Sequence, residues 1–431
     1  MYVTVKGGQK AIDAAHRLLD KVRRGDRKLK KISAEQIHSQ LGLAVDRVQA
    51  EGALYAPELS AAAVGQAMGD LTEAVFLVRA YRTTLRRFGF SEPLETEKLE
   101  CSRRISAAFK DLPGGQILGP TFDYTHRLLK PYAAETEPDS GDVRLQHYDG
   151  HELTPVNNDA AVDVNCQVSS GSPAEPFGAA KEFSSLDESG ETASSESAMT
   201  LPEAGTQLKE TINDIDSILI AEGLMESDQP EGGPLGDLTR APADFPMDRP
   251  MRLQSLARAD EGFILSLAYS CLRGYGSGHP FVTSLKIGKA EVSFTVPELD
   301  FPVTIGRIEL TECRTSNRFF TPKGGQPKFT RGYALCFGRN ERKAISMAVV
   351  DRALRYKELN EQLKGPAQDE EFVISHSDNV EAAGFVSHLK LPHHVDFQAE
   401  LELLKHIQKT FQAGPETAEQ SASPEAVKSK N

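Results

Sequence analysis

The sequence contains no tryptophan and no apolar run long enough to cross a membrane. Its 431 residues are 39% hydrophobic, whereas a spanning helix needs about 20 consecutive, predominantly apolar residues. The N-terminal stretch MYVTVKGGQKAIDAAHRLL has neither the apolar region nor the cleavage site of a signal peptide. We therefore expect a cytoplasmic protein that does not associate with a membrane.

Cysteine is also scarce, and none of it forms a C-x-x-C pair. The five cysteines are Cys101, Cys166, Cys271, Cys313 and Cys336. Their odd number and wide spacing argue against a disulfide framework, a zinc ribbon and a self-contained iron–sulfur site. If the protein takes part in radical chemistry, we expect a partner to carry the cluster.

Basic residues are scarce in one part of the chain only. The net charge is −13, but residues 135–235 hold 22 acidic and 3 basic residues, which leaves +6 for the rest. The remainder of the chain therefore suits anionic ligands. A nucleic-acid partner is not expected, because aromatic and basic residues are not interleaved and the acidic segment would repel phosphates.

Composition and periodicity divide the chain into four parts. Residues 1–134 predict a helical domain. A capping box at Ser33 and Gln36 opens one predicted helix, SAEQIHSQLGLAVDRVQAEG, and the last long helix is predicted to end at Gly89. Residues 135–248 predict an acidic, mostly disordered insert. Within it, residues 208–225 have helical periodicity and could dock elsewhere.

The third part, residues 249–412, contains both helical and strand periodicity. Helical patterns such as ERKAISMAVVDRAL occur there together with strand patterns such as KFTRGYALCFG. A polar tail at 413–431 is expected to be disordered. The predicted fold class is therefore α+β, with a helical N-terminal domain, a mixed β-rich and helical C-terminal domain, and a long disordered acidic insert.

Histidine is concentrated in one segment. Four of the eleven histidines fall between His376 and His394, and a short turn ending at Pro392 could bring His388 and His393 onto one ion. Neutral imidazole is a usual ligand of zinc. Two ligands are too few for a closed site, so water, substrate or a neighbouring subunit would complete it. The alternative is that these are ordinary surface or core histidines.

The same segment begins with three carboxylates, Asp369, Glu370 and Glu371. Cleavage of an N-glycosidic bond needs a proton donor for the leaving base and a carboxylate that stabilises oxocarbenium character, so these three are the catalytic candidates. The alternative is a solvated helix start with acidic residues at its positive end.

A glycine-rich stretch, LRGYGSGHPF, is the candidate phosphate site. Arg273 could donate hydrogen bonds, Gly274 and Gly276 leave backbone N–H groups free for an anion, and His279 lies close by. Arg331 in FTRGYALCFGRNERKA is a further candidate. The stretch is neither a Walker loop nor a Rossmann fingerprint, so a plain helix-ending turn remains the alternative.

Several long blocks together resemble one known family. The blocks include YVTVKGGQKAIDAAH, KDLPGGQILGPTFDYTHRLL, RADEGFILSLAYS and GPAQDEEFVISHSDNVEAAGFVSHLKLPHHVDFQAELELLK. They are similar to the I subunit of the bacterial carbon–phosphorus lyase core complex, a subunit of α-D-ribose 1-methylphosphonate 5-triphosphate synthase. The resemblance covers nearly all of residues 1–134 and 249–412.

The resemblance implies a role in phosphonate use. The purine of a nucleoside triphosphate such as MgATP would be displaced at C1′ by methylphosphonate, giving α-D-ribose 1-methylphosphonate 5-triphosphate and adenine. The subunit alone would act as a purine nucleosidase. The implied partners are the G, H, J, K and L subunits, with two copies of this chain in the core complex.

The resemblance also bears on the metal. His388 and His393 correspond to the two histidines of the family's S-H-L-K-L-P-H motif, which implies a zinc ion shared with the J subunit. The family gives no catalytic acid, so Asp369, Glu370 and Glu371 rest on chemistry alone. The competing hypothesis is a scaffold subunit that mainly supplies metal ligands to a site completed by the J subunit.

Overall fold

A computed structural model describes most of the two regions, 1–134 and 249–412, in which the sequence shows helical or strand periodicity. The described residues are 8–112, 114–128, 215–227, 235–242, 244–275, 279–299, 301–320 and 325–412. They contain helices and a four-stranded antiparallel sheet, so the α+β prediction is confirmed. The predicted disorder of the tail and of most of the insert falls outside the described residues and stays a prediction.

Helices account for most of the described structure before residue 90. They are α1 (Gly8–Arg24), α2 (Ala34–Gln40), α3 (Gly42–Gly52), α4 (Pro57–Gln66) and α5 (Leu71–Thr84). Helices α2 to α5 pack around a valine-rich core that includes Val45, Val48 and Val78. The predicted capping box is confirmed: Ser33 Oγ accepts from Gln36 N–H at 3.1 Å, and the Gln36 side chain accepts from Ser33 N–H at 2.9 Å.

Two boundaries in this region differ from the prediction. A helix predicted to continue past Leu41 breaks there, because Leu41 leaves helical geometry at φ −117° and ψ 36°. Helix α5 ends at Thr84 rather than at Gly89. Beyond it, Gly89 packs so closely on Phe294 that a Cβ would lie 2.3 Å from the ring, which ties this stretch to the sheet instead of the helix.

The four strands of the sheet lie side by side in the same order as in the chain. Its strands are β1 (Glu100–Ile105), β2 (Phe281–Thr295), β3 (Pro302–Phe320) and β4 (Lys328–Phe337). Leu285 in β2 pairs with Cys313 in β3, and Cys313 pairs with Ala334 in β4. Strand β1 comes from the region that the sequence predicts as helical, so this region contributes a strand to the sheet.

One face of the sheet is covered by helices. They are α7 (Arg249–Arg258), α8 (Glu261–Ser270) and α9 (Glu341–Leu354), and α8 continues as a π-helical turn at Cys271–Tyr275. Helix α9 buries Met347, Ala348 and Val350 against Leu285 and Ala334. This layer forms the main core and fixes the positions of the residues at the ends of α8 and α9.

Part of the predicted insert is a docked helix. Helix α6 (Ile215–Ala221) buries Ile215 and Leu219 in a small cluster with Leu112 and Met225. This placement accounts for the helical periodicity that the sequence shows there.

The C-terminal region consists of short helices followed by a long one. It contains 3₁₀ turns at Pro366–Gln368 and His388–Lys390, and helices α10 (Glu370–His376), α11 (Asn379–Ser387) and α12 (His394–Gln412). None of the residues of α11 or α12 is buried. No helix in the described part of the chain is both long and apolar enough to cross a membrane.

Candidate functional site

A cavity of ≈ 240 Å³ lies where the end of α8 meets β3, α9 and the 3₁₀ turn at Pro366–Gln368. Its apolar wall includes Leu272, Pro280, Val349, Ala353 and Ala367. Pockets that bury drug-sized ligands typically measure about 300–1,000 Å³. The cavity therefore suits one ring system or a small anion rather than a whole nucleoside triphosphate.

The polar wall of the cavity contains a fixed ion pair. Arg352 donates two hydrogen bonds to Glu361, at 3.1 and 2.6 Å, and its Nε donates to Thr330 Oγ1 at 2.6 Å. The Arg352 side chain is 6% exposed and that of Glu361 24% exposed. The bidentate geometry holds the carboxylate in one orientation. Lys364 adds an exposed cation to the cavity wall.

Cys271 also lines the cavity. Burial raises the pKa of its thiol to about 11, because desolvation disfavours the thiolate. The thiol is therefore neutral near pH 7, and Cys271 contributes packing surface rather than a nucleophile.

The predicted phosphate residues are only partly gathered at this cavity. Arg273 directly follows the wall residue Leu272, and His279 directly precedes Pro280. Gly274 lies in the π-helical turn, while Gly276 falls outside the described residues. The glycine-rich stretch thus begins and ends at the cavity.

Arg331 lies apart from the described cavity wall. Its side chain is 11% exposed and its Nη1 is 3.7 Å from Asp216 on α6. Its backbone N–H donates to Glu226 at 3.1 Å. In the described structure, therefore, Arg331 helps to attach the α6 segment to β4.

The three predicted catalytic carboxylates have different surroundings. Asp369 caps α10 by accepting from Phe372 N–H at 3.1 Å, and Glu370 accepts from Met247 N–H at 2.6 Å. Asp369 and Glu371 share a surface groove with His376. Of the three, Glu371 has the most open environment for a catalytic role, since the structure gives the other two carboxylates local hydrogen bonds.

His388 and His393 lie side by side, with ring centroids 5.3 Å apart. The Nδ1 atom of His393 is 2.6 Å from Leu391 O, and that of His388 is hydrogen-bonded to Phe385 O. A carbonyl oxygen can only accept, so both Nδ1 atoms carry the proton. In the neutral form of each ring, Nε2 then carries the lone pair that a metal ligand needs.

The spacing of the two rings fits two ligands of one zinc ion. Two imidazoles that bind one tetrahedral zinc through bonds of about 2 Å have ring centres roughly 5 Å apart, which the observed spacing matches. The described residues contain no group of three or more His, Cys, Asp or Glu side chains that could hold a metal. The pair can therefore supply two ligands, and further ligands must come from elsewhere.

Fold and site together define an α+β protein with a small cavity and a half-buried pair of adjacent histidines. A family model described as "Bacterial phosphonate metabolism protein (PhnI)" matches residues 1–411. The chain belongs to this family.

Three curated proteins illustrate the similarity. The chain is 50% identical over 415 residues to a protein of Rhizobium meliloti (strain 1021), with 96% of each chain covered. It is 47% identical over 409 residues to a protein of Escherichia coli (strain K12), covering 95% of this chain and 99% of the relative. Both are named α-D-ribose 1-methylphosphonate 5-triphosphate synthase subunit PhnI. HtxH of Stutzerimonas stutzeri, provisionally named a C-P lyase subunit protein, is 34% identical over 416 residues, covering 96% and 98% of the two chains.

The sequence interpretation missed the polar residues of the cavity. Asn317, Arg352 and Glu361 come from a strand, a helix and the loop after it, and no local motif connects them. One signal was available: Arg352 lies in ERKAISMAVVDRAL, a helix with a long apolar stretch. A charged residue on a helix that is buried this extensively requires a partner, and here that partner is Glu361.

Proposed function

We propose that this chain displaces the purine of MgATP with methylphosphonate at C1′, and that alone it acts as a purine nucleoside-triphosphate nucleosidase. The observation that carries the proposal is the cavity. It combines an apolar wall with a fixed carboxylate and basic side chains, in a chain whose relatives are named as subunits of this synthase.

The chemistry fits these residue types. The C1′–N9 bond breaks, its electron pair leaves with the purine, and the purine takes up a proton. A phosphonate oxygen, or water when phosphonate is absent, forms the new bond to C1′. Positive charge develops at C1′ in the transition state, and a nearby carboxylate stabilises it. Cations such as Lys364 and Arg273 would neutralise the phosphates.

The direct test is release of free adenine from MgATP by the purified chain, with and without methylphosphonate and the partner subunits. Adenine from the chain alone supports the nucleosidase activity. A ribosyl triphosphate product bonded to methylphosphonate, formed only with partners present, supports the transfer. Absence of adenine under every condition rejects the proposal.

The carboxylates make a sharper prediction. Glu371→Gln should lower adenine release about a hundredfold, the usual scale for loss of an acid–base group, without changing the melting temperature. Asp369→Ala and Glu370→Ala should also reduce release, but with a loss of stability, because each accepts a backbone N–H. Exposed Glu58 on α4 supplies the control Glu58→Gln. Full activity in all three variants would reject their role and leave Glu361 as the candidate.

The zinc proposal concerns His388 and His393. A zinc ion held there, shared with a radical-chemistry J subunit, would supply Lewis-acid stabilisation of an anionic oxygen. We expect His388→Ala or His393→Ala to weaken zinc binding by the assembled complex by more than about tenfold, the minimum cost of losing even an outer-shell contact. Metal analysis of the purified complex measures this. Exposed His16 gives the control His16→Ala, and unchanged zinc in both ligand variants would contradict the proposal.

A second candidate function is that of a scaffold subunit. It is supported by α12, which leaves Val395, Phe397 and Phe411 between 65% and 87% exposed, since large exposed apolar side chains next to a metal site suit a protein contact. The proposed partners are the G, H, J, K and L subunits, with two copies of this chain. If His388→Ala abolished only later carbon–phosphorus cleavage and left adenine release intact, the metal would serve the later step.

A further inference from the structure

Two local irregularities of the backbone meet at the cavity. Helix α8 ends in the π-helical turn Cys271–Tyr275, whose first residues line it. Strand β3 shifts register between Asn317 and Phe319, which is a bulge next to a cavity residue. π-turns and bulges cost regular hydrogen bonding and recur at functional sites, where they redirect side chains. Their convergence indicates a built site rather than a packing defect.

Asn317 is the cavity residue whose hydrogen bonding is incomplete. Its Oδ1 is shielded from solvent and has no hydrogen-bond donor among the described residues. A buried acceptor without a donor costs about 1–3 kcal/mol, so a ligand that donates a hydrogen bond there recovers that cost. The amide as a whole presents one acceptor and one donor in a plane, whichever way it is oriented.

Apart from the exposed cation Lys364, several groups of the cavity suit a small anion poorly. The guanidinium of Arg352 already donates to Glu361 and to Thr330. The acceptor oxygen of Asn317 would repel a phosphonate, and Leu272, Val349 and Ala353 give an anion no hydrogen bonds. A planar ring with an amino group satisfies both the apolar wall and the orphan acceptor.

We propose that this cavity binds the purine base of the nucleotide and that the amide of Asn317 recognises its 6-amino edge. The inference rests on the proposed function and names the part of the substrate that this cavity holds. A carboxamide pairs with adenine through the 6-amino group and a neighbouring ring nitrogen. The flat ring packs between the apolar side chains, and the ribose and phosphates extend toward the wall cation Lys364 and toward Arg273, which directly follows the wall residue Leu272.

The test measures binding of free adenine and of unsubstituted purine to the full chain by calorimetry. Wild type should prefer adenine, because only adenine donates from a 6-amino group. Asn317→Leu, which keeps the side-chain size, should weaken adenine binding at least about tenfold and abolish the preference. Ala353→Phe, which fills the cavity, should weaken both ligands. Ala62→Phe on the exposed face of α4 is the matched control and should change neither.

The outcomes separate this inference from the proposed function. Equal adenine affinity in wild type, Asn317→Leu and Ala353→Phe would overturn it, even if the chain releases adenine from MgATP. Failure of wild type to bind adenine at millimolar concentration would also overturn it. So would variants that lose methylphosphonate binding and keep adenine binding. Adenine binding that follows the predicted pattern would support it even if the release assay failed.

Discussion

Replacing Gly332 by alanine should destabilise the protein more than any other single methyl addition that we consider. Gly332 lies in the middle of β4, beneath α9. A Cβ there would be 1.8 Å from the carbonyl oxygen of Ala348 and 2.8 Å from Thr315 Oγ1. The first of these atoms is helix backbone, so relief requires α9 to move away from the sheet that forms the main core.

We expect Gly332→Ala to lower the free energy of unfolding by more than about 3 kcal/mol, which is at the upper end of overpacking effects. Chemical denaturation or thermal melting of the purified chain measures the loss. Gly306 in β3 is the matched control, because a Cβ there meets nothing within 4 Å. Gly306→Ala should be neutral or stabilising by up to about 1 kcal/mol. Equal stability of the two variants would show that α9 does not pack on β4 this closely.

The helices could be predicted well where one face alone decides their position. Helix α9 begins and ends as its apolar pattern indicates, and α2 begins at the predicted capping box. Both signals are local, since a cap requires residues three positions apart and a helical face requires neighbours within one turn. Such features need no knowledge of the rest of the fold.

Features that depend on distant partners could not be predicted. Strand β1 has six residues and pairs with β2, which lies about 180 residues further along the chain. The early end of α5 likewise has local and distant causes. Thr83 and Thr84 each donate a side-chain hydrogen bond to a carbonyl three residues earlier, and such bonds compete with regular helix. Gly89 then packs on Phe294 in β2.

The candidate site divides in the same way. His388 and His393 are close in sequence, and a short turn is enough to bring their rings together. The cavity instead assembles Asn317, Arg352 and Glu361 from separate elements. The glycine-rich stretch beside the cavity could be recognised, because glycines mark the change of chain direction after a buried helix. The polar residues of the cavity wall have no such sequence motif.

The buried carboxylate of Glu51 joins the helical region to the rest of the protein. Its side chain is fully buried. It accepts from Arg47 Nε at 2.8 Å, from Glu261 N–H at 3.1 Å and from Asn379 Nδ2 at 2.8 Å. These donors belong to α3, α8 and α11, so one residue holds three helices in register. Arg47 also pairs with Asp260 at 2.7 Å.

Glu51→Ala should therefore destabilise the protein by about 1–3 kcal/mol, the cost of leaving a buried donor without its acceptor. The donor that loses its acceptor is the N–H of Glu261 in the first turn of α8, whereas Arg47 and Asn379 each also donate to Asp260. Glu51→Gln keeps one acceptor oxygen and the side-chain volume, so its loss should be smaller. Thermal melting at neutral pH compares the two with Glu400→Ala, an exposed position in α12. If Glu51→Ala and Glu400→Ala had the same melting temperature, the contacts of Glu51 would not attach α3 to α8 and α11. The apolar packing of those helices would then have to hold them together.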